Sequence, residues 1–304
     1  MKKSGIWIIA GMLLATASAF SQNGNQTRQG RAVVTVLPKN ASDLDVKISL
    51  ENLKVKVNGK DSSVTGWKAL RGASSPLELV LLIDQGANTS LGGQFEEITQ
   101  FIKEMPADGK IAIAYMENGR AQLAGPLTSN AAELHHELHL PTGMAGGTGS
   151  PYFSLSDLAQ HWPSENQAAR RAVVMITDGV DPWERRFDPQ DLYVQTAIHD
   201  SVRAGLVVYT VFWRGQGTRG SGFAGQNLLQ QVADATGGQT YAIGTGNPVS
   251  VGPFLADVRR CLGNQYALSI ATEQKGSKPE VADLKLHIEG VEAKVTTPQQ
   301  VFVE

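Results

Sequence analysis

Cys261 is the only cysteine in 304 residues, so no intrachain disulfide can staple this fold. Stability has to come from a core. With Val258 and Leu262 close by, Cys261 reads as a buried apolar residue. The chain also lacks a basic block: 27 Lys and Arg stand against 29 Asp and Glu, which argues against nucleic acid as a partner. Beyond the first residues, no apolar run approaches the roughly 20 residues a helix needs to cross a bilayer. No membrane span is expected there.

What the start does carry is a leader pattern. Met1-Lys2-Lys3 precedes the apolar run Ile6 to Leu14, and Ala17-Ser18-Ala19 supplies a small-x-small cleavage pattern. Residues 1–21 are therefore read as a signal peptide, which makes the protein exported, to the periplasm or beyond the cell. The apolar run is too short for an anchor, and no Cys follows it to take a lipid. Without Lys2 and Lys3, 25 basic residues face 29 acidic ones, a mature charge of about −4. About 285 residues remain, enough for a sizeable core.

Residues 22–30 are polar, without hydrophobic period, and read as a flexible leader. From Arg31 the period becomes two. "RAVVTVLP" is one candidate strand, Val46, Ile48 and Leu50 alternate in a second, and Leu53, Val55 and Val57 in a third. Asn58-Gly59 supplies the positive φ angles of a tight hairpin. The 31–73 segment is thus antiparallel β.

From Leu77 to 263 apolar strands alternate with helix-length segments. "LELVLLID", "KIAIAYM", "RAVVMITD", "GLVVYTVFW" and "QTYAI" are the strands, with "AQLAGPLT" as a hairpin partner. Helices are expected near 93–104, 130–139, 189–204, 225–235 and 250–262. The fold class is α/β: a doubly wound, mainly parallel sheet with helices on both faces. Alternation returns in 264–304, where "QYALSIA", "DLKLHIEG" and "VEAKVTT" read as strands. These are expected to pair with 31–73 in one small antiparallel β domain, into which the α/β unit is inserted.

In a doubly wound sheet, ligands bind at the carboxyl ends of the strands. Asp84 with Asn88, Gly146-Gly147-Thr148, and Thr177-Asp178-Gly179 are the segments that reach that edge. Carboxylates and hydroxyls form an oxygen-only set suited to a hard cation such as Mg²⁺. The plainer reading is that Asp84 and Asp178 end strands and bond to loop amides.

This series, Asp84-x-Gly86-x-Asn88, then Gly146-Gly147-Thr148, then Ile176-Thr177-Asp178-Gly179, resembles the von Willebrand factor type A (VWFA) domain. With the Val55 to Lys60 hairpin before it and the β tail from "QYALSI" after it, the chain from about 30 to 304 looks like the exported VWFA-related proteins of Acidobacteria. That resemblance implies a metal-ion-dependent adhesion site, in which a D-x-S-x-S loop, a Thr and an Asp hold Mg²⁺ or Mn²⁺ with one position open for an acidic side chain of the partner. Asp84, Thr148 and Asp178 match it. Gly86 and Asn88 stand where the two serines would be, so the implied site is degenerate, with Asn88 offering a neutral amide oxygen.

Other motifs carry less. His135 and His139 in "HHELH" share a helix face, but Glu137 does not follow the first His as a zinc protease requires, so a solvated face is expected. "GMAGGTGS" lacks the Lys of a phosphate loop, and Ser150, Ser154 and Ser156 lie in no hydrolase elbow. After Asp178, Asp181 could support a metal and Trp183 could anchor a partner; alternatively Trp183 and Phe187 tuck under their loop. "WRGQGTRGSGFAGQN" reads as a mobile loop at the same edge.

The expectation is an exported, non-enzymatic binding or adhesion-type module that recognises a protein or surface ligand at the carboxyl edge. The alternative is a metal-free structural scaffold whose β domain makes the contacts. An enzyme is the weakest reading, because no nucleophile and base accompany the two Asp.

Overall fold

The computed structural model describes residues 26–39, 48–72, 74–143, 149–181, 188–216, 222–274 and 278–304. The signal peptide expected over 1–21 lies outside them. Strand β1 (Gln26–Pro38) is followed by β2 (Leu53–Val57) and β3 (Lys60–Ala69). The β2–β3 hairpin turns on Asn58 and Gly59, at φ 49° and 76°, and sets Val57 opposite Lys60. Alternate residues of β2 are buried, as the period of two requires.

Two local expectations are corrected here. Residues 26–30, expected in the polar leader, belong to β1. Gln29 exchanges both backbone hydrogen bonds with Glu304 at 2.9 Å, and paired backbone of this kind needs no apolar side chain to be held. Leu50 is not in a strand: Leu50–Asn52 is a 3-10 turn, fixed by Asn52, whose side-chain amide donates to the Glu289 carbonyl at 3.1 Å. Val46 lies outside the described residues.

The α/β elements run in order: β4 (Leu77–Asp84), α1 (Phe95–Lys103), β5 (Lys110–Glu117), β6 (Arg120–Leu123), α2 (Ala131–Glu137), α3 (Pro151–Gln160), β7 (Arg170–Thr177), α4 (Leu192–Arg203), β8 (Leu206–Phe212), α5 (Gly222–Thr236), β9 (Thr240–Tyr241) and α6 (Gly252–Gly263). The sheet order is β6-β5-β4-β7-β8-β9, parallel except for β6. Every residue of β4 and β8 is buried, because helices cover both faces. Leu79, Leu81 and Ile83 point to the layer of α1, α2 and α6. Val80 and Leu82 point to α3, α4 and α5. Each such side chain contributes roughly 1.5–3 kcal/mol of burial.

Helix α3 was not among the expected helices. Its serines suggest loop, yet Ser150 is an N-cap whose Oγ accepts from the Tyr152 N–H at 3.3 Å, and Pro151 opens the first turn. The β9 strand is shorter than "QTYAI", since Ile243 pairs only with Gly246 across a turn.

The chain ends with β10 (Gln265–Gln274), β11 (Glu280–Ile288), β12 (Ala293–Thr296) and β13 (Gln300–Val303). They pair with the N-terminal strands, as β10 lies on β1 and β3, and β11 on β2. The β region goes further than an antiparallel sheet. Strands β1, β10, β3, β2, β11 and β13 close a ring, with β12 added to β1. This six-stranded barrel leaves no open edge within the ring, and Val34, Val55, Leu268, Ile270, Leu284 and Val303 fill it.

Candidate functional site

Asp84 is the last residue of β4 and is buried. A buried carboxylate needs donors, and two are present. Its Oδ1 accepts from the Gly86 N–H at 2.7 Å, and its Oδ2 from the Thr177 hydroxyl at 2.6 Å. Thr177 ends β7, so this bond ties the carboxyl ends of two neighbouring strands. Asp178 follows, with Oδ1 accepting from the Val180 N–H at 2.9 Å and Oδ2 from the Gly215 N–H at 3.1 Å.

Glycines let the backbone come this close. Gly179 sits at φ +67°, and a Cβ on Gly225 of α5 would lie 1.9 Å from the Asp178 carbonyl oxygen. Helix α5 therefore rests directly on the Asp178 backbone. A side chain there would push it off.

Asn88 is joined to the loop that leaves β8. Its N–H donates to the Arg214 carbonyl at 2.8 Å, while the Trp213 indole N–H donates to the Asn88 carbonyl at 3.1 Å. Its side-chain oxygen accepts from the Ser90 N–H at 3.0 Å and caps a 3-10 turn over Thr89–Gln94. Residues 213–216 of the expected mobile loop are thereby fixed, with Trp213 fully buried; 217–221 lie outside the described residues. Asp181 is also buried and accepts from the Ser150 hydroxyl at 2.6 Å.

Of the expected site residues, Asp84 and Asp178 meet around Thr177 and the 213–216 loop, and Asn88 and Asp181 border them. Thr148, with Gly146 and Gly147, and Trp183 lie outside the described residues. Two carboxylates are within what Mg²⁺ takes from a protein, and the donors are all oxygen. Among the described residues no three His, Cys, Asp or Glu side chains group as a cation site.

Sequence reasoning missed Tyr152. Its hydroxyl donates to the Gly179 carbonyl at 2.7 Å. Burial first, then the nearby Asp178, Asp191 and Asp181 charges, hold its pKa well above the usual tyrosine range. Tyr152 therefore stays a donor and braces the same loop. The Ser150-Pro151 helix start was the signal for it.

Exposed apolar side chains stand on the described part of this carboxyl edge. Five of the seven large hydrophobic side chains exposed among the described residues are Leu140, Leu192, Phe223, Ile243 and Val249. Four of them lie on segments that follow strands or begin helices at the carboxyl edge, and Leu140 lies just past the end of α2. Leu192 and Phe223 open α4 and α5. Ile243 and Val249 lie between β9 and α6, and the Val249 carbonyl accepts from the Gln94 amide at 3.2 Å. The adjoining Thr142 and Gly143 backbone amides bond to Gln85 at 3.0 and 2.9 Å, which places Leu140 at the same end.

The two "HHELH" histidines part company. His135 bonds to the Thr99 hydroxyl at 2.9 Å, and His139, beyond the end of α2, stacks on Tyr115 with ring centroids 3.8 Å apart.

No protein-family model matches the sequence, and no curated protein does. Solved structures overlap it loosely. The conserved hypothetical protein BatB from Bacteroides thetaiotaomicron is 16% identical, with 61% of this chain and 97% of that one covered at a TM-score of 0.42. A von Willebrand factor type A structure from Catenulispora acidiphila is 12% identical, covering 92% and 74% at 0.40. The ArnB paralog VWA2 from Sulfolobus acidocaldarius is 10% identical, covering 91% and 75% at 0.42. None of these overlaps bears on what this chain binds. Its α/β architecture rests on its own strand order and covered faces.

Proposed function

We propose that this chain is an exported, non-enzymatic binding module that recognises a protein or surface ligand at the carboxyl edge of its α/β sheet. The observation that supports this is the apolar rim of Leu140, Leu192, Phe223, Ile243 and Val249. Single exposed hydrophobics are ordinary, but a group gathered on one edge is what docking surfaces use. Leu192 and Phe223 stand on helices, and the Val249 carbonyl is held by Gln94, so little ordering cost falls on these three in binding. At the base of the rim the Thr177 hydroxyl bonds to Asp84 and the Ser150 hydroxyl to Asp181. These four residues are buried, and the bonds tie strand and helix ends together beneath the rim.

The test is a variant with Phe223→Ser, Ile243→Ser and Val249→Ser. A partner retained by the wild-type chain should be lost by the variant at unchanged melting temperature. Retention of the partner by the variant would turn the reading toward the scaffold alternative, in which the barrel makes the contacts. Export and kinship with the VWFA-related proteins of Acidobacteria belong to the same proposal and rest on the 1–21 leader pattern and the motif series. Protein recovered outside the cytoplasm should begin close to residue 20–22; an intact Met1 there would contradict signal-peptide cleavage, and finding the protein only in the cytoplasm would contradict export.

A second reading adds Mg²⁺ or Mn²⁺, supported by the carboxylates of Asp84 and Asp178 standing at the ends of neighbouring strands. These two, with Asn88 and Thr148, would hold the ion, and the ion would supply positive charge for an acidic group of the partner. Melting in EDTA and then in ~10 mM Mg²⁺ or Mn²⁺ should show stabilisation growing as RT ln(1 + [L]/Kd). No shift, or an equal shift in Asp178→Ala, would remove the ion from the account.

A further inference from the structure

A second charged site lies at the other end of the α/β sheet. Where the barrel meets the starts of β7 and β8 and the end of α4, a cleft of about 450 Å³ opens, within the size range of small-ligand sites. Arg31 of β1, Arg170 and Arg171 of β7 and Arg203 of α4 line it, and Glu304 is the only acidic side chain in its wall. None of the four arginines makes an ion pair among the described residues. Asp108 acts on Arg170 from outside the wall.

The guanidinium groups are positioned by neutral partners. Arg170 donates to the Ser75 carbonyl at 3.3 Å, to the Gln265 amide oxygen at 2.8 Å and to the Leu262 carbonyl. Arg171 donates to the Ser164 carbonyl at 3.3 Å and lies 5.6 Å over the Trp162 ring. Arg203 lies 5.7 Å over the Phe302 ring. Carbonyls and rings orient a guanidinium without cancelling its charge. Four arginines line one cavity of a chain whose formal net charge is −2, with Arg170 and Arg171 directed to different partners on either side of their strand.

We propose that this cleft binds a small polyanion carrying at least two phosphate or carboxylate groups. Each guanidinium fork suits one such oxyanion in bidentate fashion. Because Arg31 belongs to the barrel and the other three to the α/β unit, a ligand spanning them bridges the two. Its binding would brace the junction.

The intact mature chain should be melted, with EDTA present, against inorganic pyrophosphate and against citrate, each compared with sodium chloride at matched ionic strength. A saturating rise with either probe supports the site, and the stronger of the two tells phosphate from carboxylate chemistry. Arg31→Gln with Arg203→Gln removes two exposed charges whose side chains make no hydrogen bond among the described residues, and should raise the half-saturating concentration at least about tenfold. Arg31→Gln alone serves if the pair does not fold. No rise beyond that in chloride, or an unchanged response in the variants, would overturn the proposal. The Phe223→Ser variant should respond as wild type, which separates this site from the carboxyl edge.

Discussion

Asp84, Asp178 and Asp181, at the carboxyl edge of the sheet, are buried and accept hydrogen bonds from Thr177, Gly86, Val180, Gly215 and Ser150. Arg31, Arg170, Arg171 and Arg203, at the opposite end, line a cleft whose wall holds one acidic side chain, that of Glu304. The difference lies in what each end leaves for a ligand. Buried carboxylates without donors would be too costly to fold around, so the protein satisfies them itself and presents an apolar rim. Partly exposed arginines can stay unneutralised at low cost, and their charge remains on offer.

The largest effect that could break this contrast is at Gly225. An Ala there drives its Cβ into the Asp178 carbonyl and should cost about 3 kcal/mol or more in denaturant unfolding. A neutral result would mean that α5 is not seated on the Asp178 loop. Next comes Asp84→Ala, which leaves the Thr177 hydroxyl and the Gly86 N–H buried without their acceptor and should cost roughly 2–4 kcal/mol. Asp84→Asn keeps one oxygen and should cost less. If both cost nothing, the carboxylate is not part of the fold.

Cys261 sharpens the contrast away from either end. Burial, and then Asp257, pushes its thiol from 9.0 up to about 11. Because the folded pKa is the higher, its contribution to stability is complete below the unfolded value and is lost as pH rises from about 9 through about 11. Tyr209 and Tyr241, raised mainly by burial, act in the same direction. At pH 8 the thiolate is scarce, and thiol reagents should label native protein at least about 100-fold more slowly than unfolded protein. Equal rates would show an exposed thiol. The smallest effect is expected at the rim itself, where Phe223→Ser should change stability by no more than ~0.5 kcal/mol. A large loss would mean that the rim is core.

Much of this was legible where a single physical rule decides the pattern. β4, β7 and β8 are covered on both faces and so read as unbroken apolar runs, while Asn58-Gly59 can do little but turn a hairpin. The barrel's closure was not legible. In β1 the inward side of residues 28–30 carries Arg28 and Gly30, so the period of two has no hydrophobic signal, although a Cβ on Gly30 would sit 3.0 Å from Ile270 and Val303. In α3, Tyr152, Leu155 and Leu158 keep a helical period, but three serines between and around them obscured it. Asp84 and Asp178 could be found because strand ends locate them. The apolar rim could not, since Leu192, Phe223 and Val249 are single residues on separate loops and helix starts. The arginine cleft draws its four charges from three elements far apart in sequence.

The account turns most directly on whether the carboxyl edge is a docking surface. A photo-crosslinking residue placed at position 223 or 249, and as a control at Leu123 on β6, can be read in the cells that make the protein. The account predicts a discrete adduct from 223 and 249, lost when the other rim residues are changed to Ser, and none from 123. Adducts of equal yield at all three positions, or none at 223 and 249, would contradict it.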